Sequence, residues 1–138
     1  MKKDDCIFCK IANGEIPSTT LYEDEEFRVI LDLGPASRGH ALILPKEHYA
    51  NLYEIEDDTA AKVMVLAKKM AKAMTKGLKA DGFNLVQNNG ETAGQTVFHF
   101  HLHLIPRYAD EKKIIEWTPG TISKEEMEKI ASQVKEQL

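Results

Sequence analysis

The sequence has little of several things, and each shortage removes a class of function. No apolar run approaches the ~20 residues that a membrane span needs. No apolar segment follows the start Met1-Lys-Lys-Asp-Asp5, so no secretory signal is expected and the chain reads as cytoplasmic. Positive charge is not in excess: 18 Lys and Arg stand against 22 Asp and Glu, a net charge of −4. That balance argues against a bulk nucleic-acid binder or a membrane-surface protein. There are only two cysteines, Cys6 and Cys9, and in a reducing compartment such a pair seldom forms a structural disulfide. There is no internal repeat, low-complexity tract or linker, so one domain over residues 1–138 is expected.

What is present is an ordinary globular composition, 43% hydrophobic and 29% charged, in a chain long enough to bury a core. Five histidines stand out by placement, because three of them fall in Thr96-Val-Phe-His-Phe-His-Leu-His-Leu-Ile-Pro106. With a period of two, His99, His101, His103 and Ile105 share one face of a strand, and Phe98, Phe100, Leu102 and Leu104 share the other. Pro106 is expected to end that strand, since it cannot donate to a ladder. Side-by-side imidazoles are costly for folding and useful for chemistry near neutral pH. Two chemistries fit the row: a three-histidine metal site, or metal-free nucleophilic catalysis by imidazole.

The other elements can be taken in chain order. Cys6-Ile-Phe-Cys9 suits a redox pair, half of a zinc site completed by His48 and the strand histidines, or two inert thiols. No strand precedes it, which disfavours the redox reading. Lys10–Gly14 reads as a helical turn stopped by Asn-Gly. Thr20–Glu23 and Phe27–Leu33 read as strands about the acidic turn Asp24–Glu26. Asp32, near the end of the second, fits either a turn-capping carboxylate or an acceptor for two sugar hydroxyls. Gly39–Pro45 is the next strand, with His40 at its start and His48 in the loop beyond it. Asp57 to about Gly77 carries Val63, Leu66, Ala67, Met70 and Met74 at helical spacing, an apolar stripe for the core. Phe83–Asn88 alternates as a strand. The polar loop before the histidines, ending Gly94-Gln95-Thr96, could cradle a phosphate. Ser123 and Glu126 form a capping box for a helix from about Lys124, with Met127, Ile130, Ala131 and Val134 expected inward.

Gln95 through Ile105 resembles the signature of the histidine triad (HIT) family. Cys6 through Ile11, Ile30 through Leu33, Gly39 through His48 and Asn88 through Gly94 follow that family's order and spacing, most similar to its Hint-like branch and bacterial zinc-containing members. The resemblance implies an α+β fold: an antiparallel sheet with a long central helix; the C-terminal helical extension over about 123–138 departs from the shorter members of the family. It implies a homodimer and chemistry at the α-phosphate of a purine nucleotide, with an AMP-type product. His101 would be the nucleophile. His103 would touch the phosphate and help protonate the leaving group, and His40 and His99 would support the row. Asn88, Gly94, Gln95 and Thr96 would hold phosphate oxygens, and Asp32 the ribose hydroxyls. Ile7, Phe8, Ile11, Ile30 and Leu33 would line the base pocket. Zinc-containing relatives imply a structural zinc on Cys6, Cys9, His48 and His99, with no catalytic metal required. His99 is then open to zinc, to catalytic support, or to both through its two ring nitrogens. The leading expectation is a purine nucleoside phosphoramidase. A dinucleoside polyphosphate hydrolase of the Fhit type, or a non-catalytic nucleotide-binding or interaction module, are the alternatives.

Overall fold

β-branched and leucine-rich runs fall into five short strands, and one long amphipathic helix covers one face of the sheet they form. The computed structural model describes residues 1–138. In chain order the elements are α1 (Ile7–Ala12), β1 (Thr20–Glu23), β2 (Phe27–Leu31), β3 (Ala41–Pro45), α2 (Asp57–Leu78), β4 (Gly82–Val86), a 3₁₀ turn (Glu91–Ala93), β5 (Leu102–Arg107) and α3 (Lys124–Lys135). The sheet has the order β1-β2-β3-β5-β4, and each neighbouring pair is antiparallel. This is the α+β antiparallel architecture that the sequence implies.

The expected stripe of α2 is the buried one: Val63, Leu66, Ala67, Met70 and Met74 pack with Phe27, Val29, Ile43, Leu102 and Leu104. Asp57 and Asp58 lie in the first turn of α2 and Lys76 in its last, each complementing the helix dipole. The opposite face of the sheet is covered more thinly. There Ala12 of α1 packs with Ile30, Leu42 and Leu44, and Phe8 and Ile11 lean on the same cluster. β3, central in the sheet and covered on both sides, is buried at all five positions. The acidic turn between β1 and β2 is closed by Asp24, whose Oδ1 accepts from the N–H groups of Glu26 and Phe27.

Four expectations are corrected. The helical turn placed at Lys10–Gly14 begins earlier, at Ile7, because the Cys6 sulfur caps it by accepting from the Cys9 N–H. The histidine strand is shorter than the alternation suggests: β5 starts at Leu102, and His99 and His101 lie in the irregular segment before it. Pro106 does not end β5, which runs to Arg107. β3 pairs with β5 only between Leu102 and Leu104, and the Pro106 carbonyl, on that vacated side, accepts from the Ser37 hydroxyl at 2.5 Å. The missing N–H of Pro106 points the same way, so no ladder bond is lost. Finally, Met127, Ile130 and Val134 are exposed, and α3 has no buried residue. Ser123 does cap α3 by accepting from the Glu126 N–H. The capping signal is thus realised while the expected packing is not.

Gly39 turns the chain into β3 at φ +90°, and a Cβ there would stand 2.4 Å from Leu78 Cδ1. Gly39→Ala is expected to destabilise by about 1–3 kcal/mol, mostly through the left-handed backbone because the Leu78 side chain can yield. A fall in the thermal midpoint checks it, and an unchanged midpoint would contradict it.

Candidate active site and metal centre

His103 is in β5, opposite Leu42 of β3 on one side and Val86 of β4 on the other. That register places its ring on the α1 face of the sheet. His40, just before β3, reaches it: His40 Nε2 lies 2.9 Å from His103 Nδ1. The tautomers follow from one backbone contact. The Ala36 N–H donates to His40 Nδ1 at 2.9 Å, so in neutral His40 the proton sits on Nε2. That Nε2–H donates to His103 Nδ1, which leaves the His103 proton on Nε2. The relay therefore presents an N–H donor at its outer end.

His101 is fixed the other way round. Its Nδ1–H donates to the carbonyl of His99 at 2.7 Å, which leaves the Nε2 lone pair free. The rings of His101 and His103 stand 5.0 Å apart. A lone pair and a donor thus sit side by side, as covalent catalysis with proton assistance requires.

Both rings line a cavity of about 680 Å³. Ile7, Phe8 and Ile11 of α1 and Ile30, Asp32 and Leu33 from the end of β2 form its other walls, and Thr96 its rim. Leu33 is fully exposed at that rim. Asp32 Oδ1 accepts from the Gly34 N–H at 2.8 Å, and Oδ2 stands 3.6 Å from His40 Nε2. Asp32 thus caps the turn through Oδ1, and the residue also lines the cavity. Sequence reasoning missed Pro17, Ser18 and Thr19, which close the cavity from the loop before β1, and Leu31, Leu42 and Val97. The proline followed by two small hydroxyl residues was the available signal.

Gln95 departs from its expected role. It is almost wholly buried. Its Oε1 accepts from the Gly90 N–H, and its Nε2 donates to the carbonyls of Ala50 and Val97. Both amide hydrogens are used, so Gln95 shapes the loop from beneath and does not offer them to a phosphate. Asn88 and Gly94 are off the cavity wall and adjacent to each other. Gly94 has φ +100°, and a Cβ on it would meet the Asn88 amide nitrogen at 3.8 Å.

Burial holds the imidazoles neutral. Loss of solvent lowers His101 and His40 from the ordinary 6.5. His103 falls to about 4, through burial first and then through repulsion by His101 and His40. His103, expected to help protonate the leaving group, therefore carries no second proton at neutral pH on its own. An anionic phosphate beside His103 would favour its imidazolium, so the proton arrives with the ligand. The sign for stability follows. The folded value lies below the unfolded one, so the contribution is complete above about pH 6.5 and is lost as pH falls toward 4. In the free protein the His103 ring resonance is expected to titrate near 4, and AMP is expected to move it upward. A free-state midpoint at 6.5 or above would contradict this electrostatic picture.

His99 faces a second cluster. Cys6, Cys9, His48 and His99 each offer one ligand atom, and all four atoms lie within 4.8 Å of one another. His99 Nδ1 is 3.4 Å from each sulfur, and His48 Nδ1 is 3.3 Å from Cys9 Sγ. His99 Nε2–H donates to the Pro45 carbonyl at 2.8 Å, which turns the Nδ1 lone pair toward the thiols. Burial lowers His99 to about 4 and raises Cys9 above its ordinary value. Two thiols and two imidazoles held together this way could hold a metal ion, the thiols giving up their protons to it. The four expected metal ligands are brought together, and His101 and His103 are not among them. An Asp32, His40 and His103 grouping also lies within 4.8 Å, but its two imidazoles are joined by a hydrogen bond.

Comparison with known proteins accords with this geometry. The HIT domain family matches residues 13–110. The chain belongs to the HIT family. HIT relatives align along much of the chain. The adenosine 5′-monophosphoramidase hnt1 of Schizosaccharomyces pombe is 41% identical over 135 residues, covering 94% of this chain and 98% of that protein. Adenosine 5′-monophosphoramidase HNT1 of Saccharomyces cerevisiae is 48% identical over 114 residues, covering 81% of this chain and 69% of that protein. Among solved structures, a Streptococcus mutans UA159 protein superposes with a TM-score of 0.93 at 41% identity, over 98% of this chain and 86% of that one. The HIT match begins at residue 13, after α1, so both cysteines and the cavity-lining Ile7, Phe8 and Ile11 precede it.

Proposed function

We propose that this HIT protein is a nucleotide hydrolase of the adenosine 5′-monophosphoramidase type, acting at the α-phosphate through a nucleotidyl–His101 intermediate. The observation that carries it is the free Nε2 lone pair of His101 beside the Nε2–H of His103, on the wall of a cavity that Asp32 also lines. His101 Nε2 attacks the α-phosphorus and the bond to the amine leaving group breaks. His103 supplies the leaving nitrogen with its proton. Water then attacks the phosphorus, the bond to His101 breaks, His103 takes the proton and AMP is released. Asp32 Oδ2 accepts from the ribose hydroxyls. Ile7, Phe8, Ile11 and Ile30 hold the base. The two names above, borne by relatives at 41% and 48% identity, support the same substrate class.

Cys6, Cys9, His48 and His99 would hold a structural zinc. Zinc–sulfur and zinc–nitrogen bonds of ~2.3 and ~2.0 Å give a tetrahedral sulfur-to-nitrogen edge of about 3.5 Å, close to the 3.3–3.4 Å separations observed. The ion would fix those side chains, and the reaction asks no Lewis acid of it.

Residues 1–138 would act as one cytoplasmic HIT domain with a C-terminal helical extension. No helix is long and apolar enough to cross a membrane. A homodimer is supported by the exposed Trp117, Met127, Ile130 and Val134, apolar surface that a lone chain leaves in water. Specificity constants test the substrate class. An adenosine phosphoramidate is expected to exceed a diadenosine polyphosphate by tenfold or more. The reverse order would favour the Fhit-type reading, and tight AMP binding without hydrolysis of either would favour a binding module.

A further inference from the structure

α1 belongs to two sites at once. Cys6 and Cys9 face the metal cluster, while Ile7, Phe8 and Ile11 face the nucleotide cavity. The two ends of this six-residue helix are held differently. Its C-terminal end is tied to the sheet side: Arg28 Nε donates to the Ala12 carbonyl, and the Asn13 amide donates to the Lys46 carbonyl. Its N-terminal end, which carries Ile7 and Phe8, has no such tie. Cys6 and Cys9 reach His99 and His48, and Phe8 meets the rings of His99 and His101 edge-on at 6.2 and 5.0 Å. The Lys3 N–H donation to Cys9 Sγ stays within the N-terminal segment and does not reach the sheet, and the ion pair of the Met1 amino group with Glu47 is exposed, a kind of pair that contributes little. A helix this short does not order itself in water.

We infer that Cys6 and Cys9 are positioning residues for the base pocket: by ligating a metal together with His48 and His99 they pin the N-terminal end of α1 and set the wall against which the purine packs. The inference rests on the nucleotide reading of the cavity. It makes the metal centre a determinant of base affinity, beyond its contribution to fold stability. The coupling is reciprocal by thermodynamic linkage, so a purine in the pocket tightens the hold of the cluster on its ion.

The test compares AMP with ribose 5-phosphate, which lacks the base, by calorimetry on metal-loaded and chelator-stripped protein, with folding followed by circular dichroism. Stripping is expected to weaken AMP about tenfold or more and ribose 5-phosphate less than twofold. Equal weakening of both, or of neither, would overturn the inference. If the stripped protein unfolds, the loaded protein decides: at matched occupancy AMP is expected to raise metal affinity, measured by chelator competition, several-fold more than ribose 5-phosphate does. Equal effects would overturn the inference. Failure of AMP to bind the loaded protein would overturn the nucleotide reading and this inference together.

Discussion

His101→Ala is expected to lose at least about 10⁴-fold in kcat on an adenosine phosphoramidate while still binding AMP. The size comes from removing the nucleophile itself. In enzymes that work by covalent catalysis, loss of that atom costs ~10⁴ to 10⁶ in rate and leaves only binding and electrostatic assistance. No other group on the cavity wall replaces it. The lone pair of His103 is committed to the Nε2–H of His40, and that of His99 is turned toward the cysteines. Binding survives because Asp32 and the apolar wall of α1 and β2 are untouched. Single-turnover kinetics with AMP calorimetry separates the two effects. A variant that kept more than a hundredth of the rate would show that another group attacks.

Cys9→Ser is expected to cost about 3 kcal/mol or more of stability, lowering the thermal midpoint by roughly 10 °C. Cys9 is completely buried. Its sulfur is near both imidazoles of the cluster and also accepts the Lys3 N–H. A serine oxygen is smaller and a poorer ligand for a soft divalent ion, so the cluster opens and α1 loses its anchor. Metal analysis of the purified wild type is expected to find about one zinc per chain, and chelation to reproduce the shift in midpoint. A metal-free wild type with an unchanged midpoint would contradict the assignment.

These two residues were reached from the sequence by different routes. Periodicity identified the histidine row, and the register of β5 realises it at His103. It could not show where the row bends away from the sheet. His99 turns toward the thiols because its ring is held between the Pro45 carbonyl and the cysteines, contacts more than fifty residues apart in the chain. The α2 stripe was fully legible, since a helix buries one face against a sheet and the spacing names that face. The stripe of α3 was equally legible and misleading, because spacing gives the apolar face without its partner. Gln95 illustrates a third limit. A polar residue in a phosphate-like loop can serve the ligand or the loop, and only the fate of its amide hydrogens decides between them. The relay from Ala36 through His40 to His103 was beyond sequence reasoning, since it depends on a single backbone N–H meeting His40 Nδ1.

Trapping the intermediate tests the central claim most directly. Protein mixed with an adenosine phosphoramidate, quenched within one turnover under mildly basic conditions and digested for mass spectrometry, should carry an adenylyl group on His101 and on no other residue. The adduct should form as fast as the amine is released and decay as fast as AMP appears. An adenylyl group on another side chain would contradict the double displacement at His101. So would amine release at full rate with no protein adduct at any time.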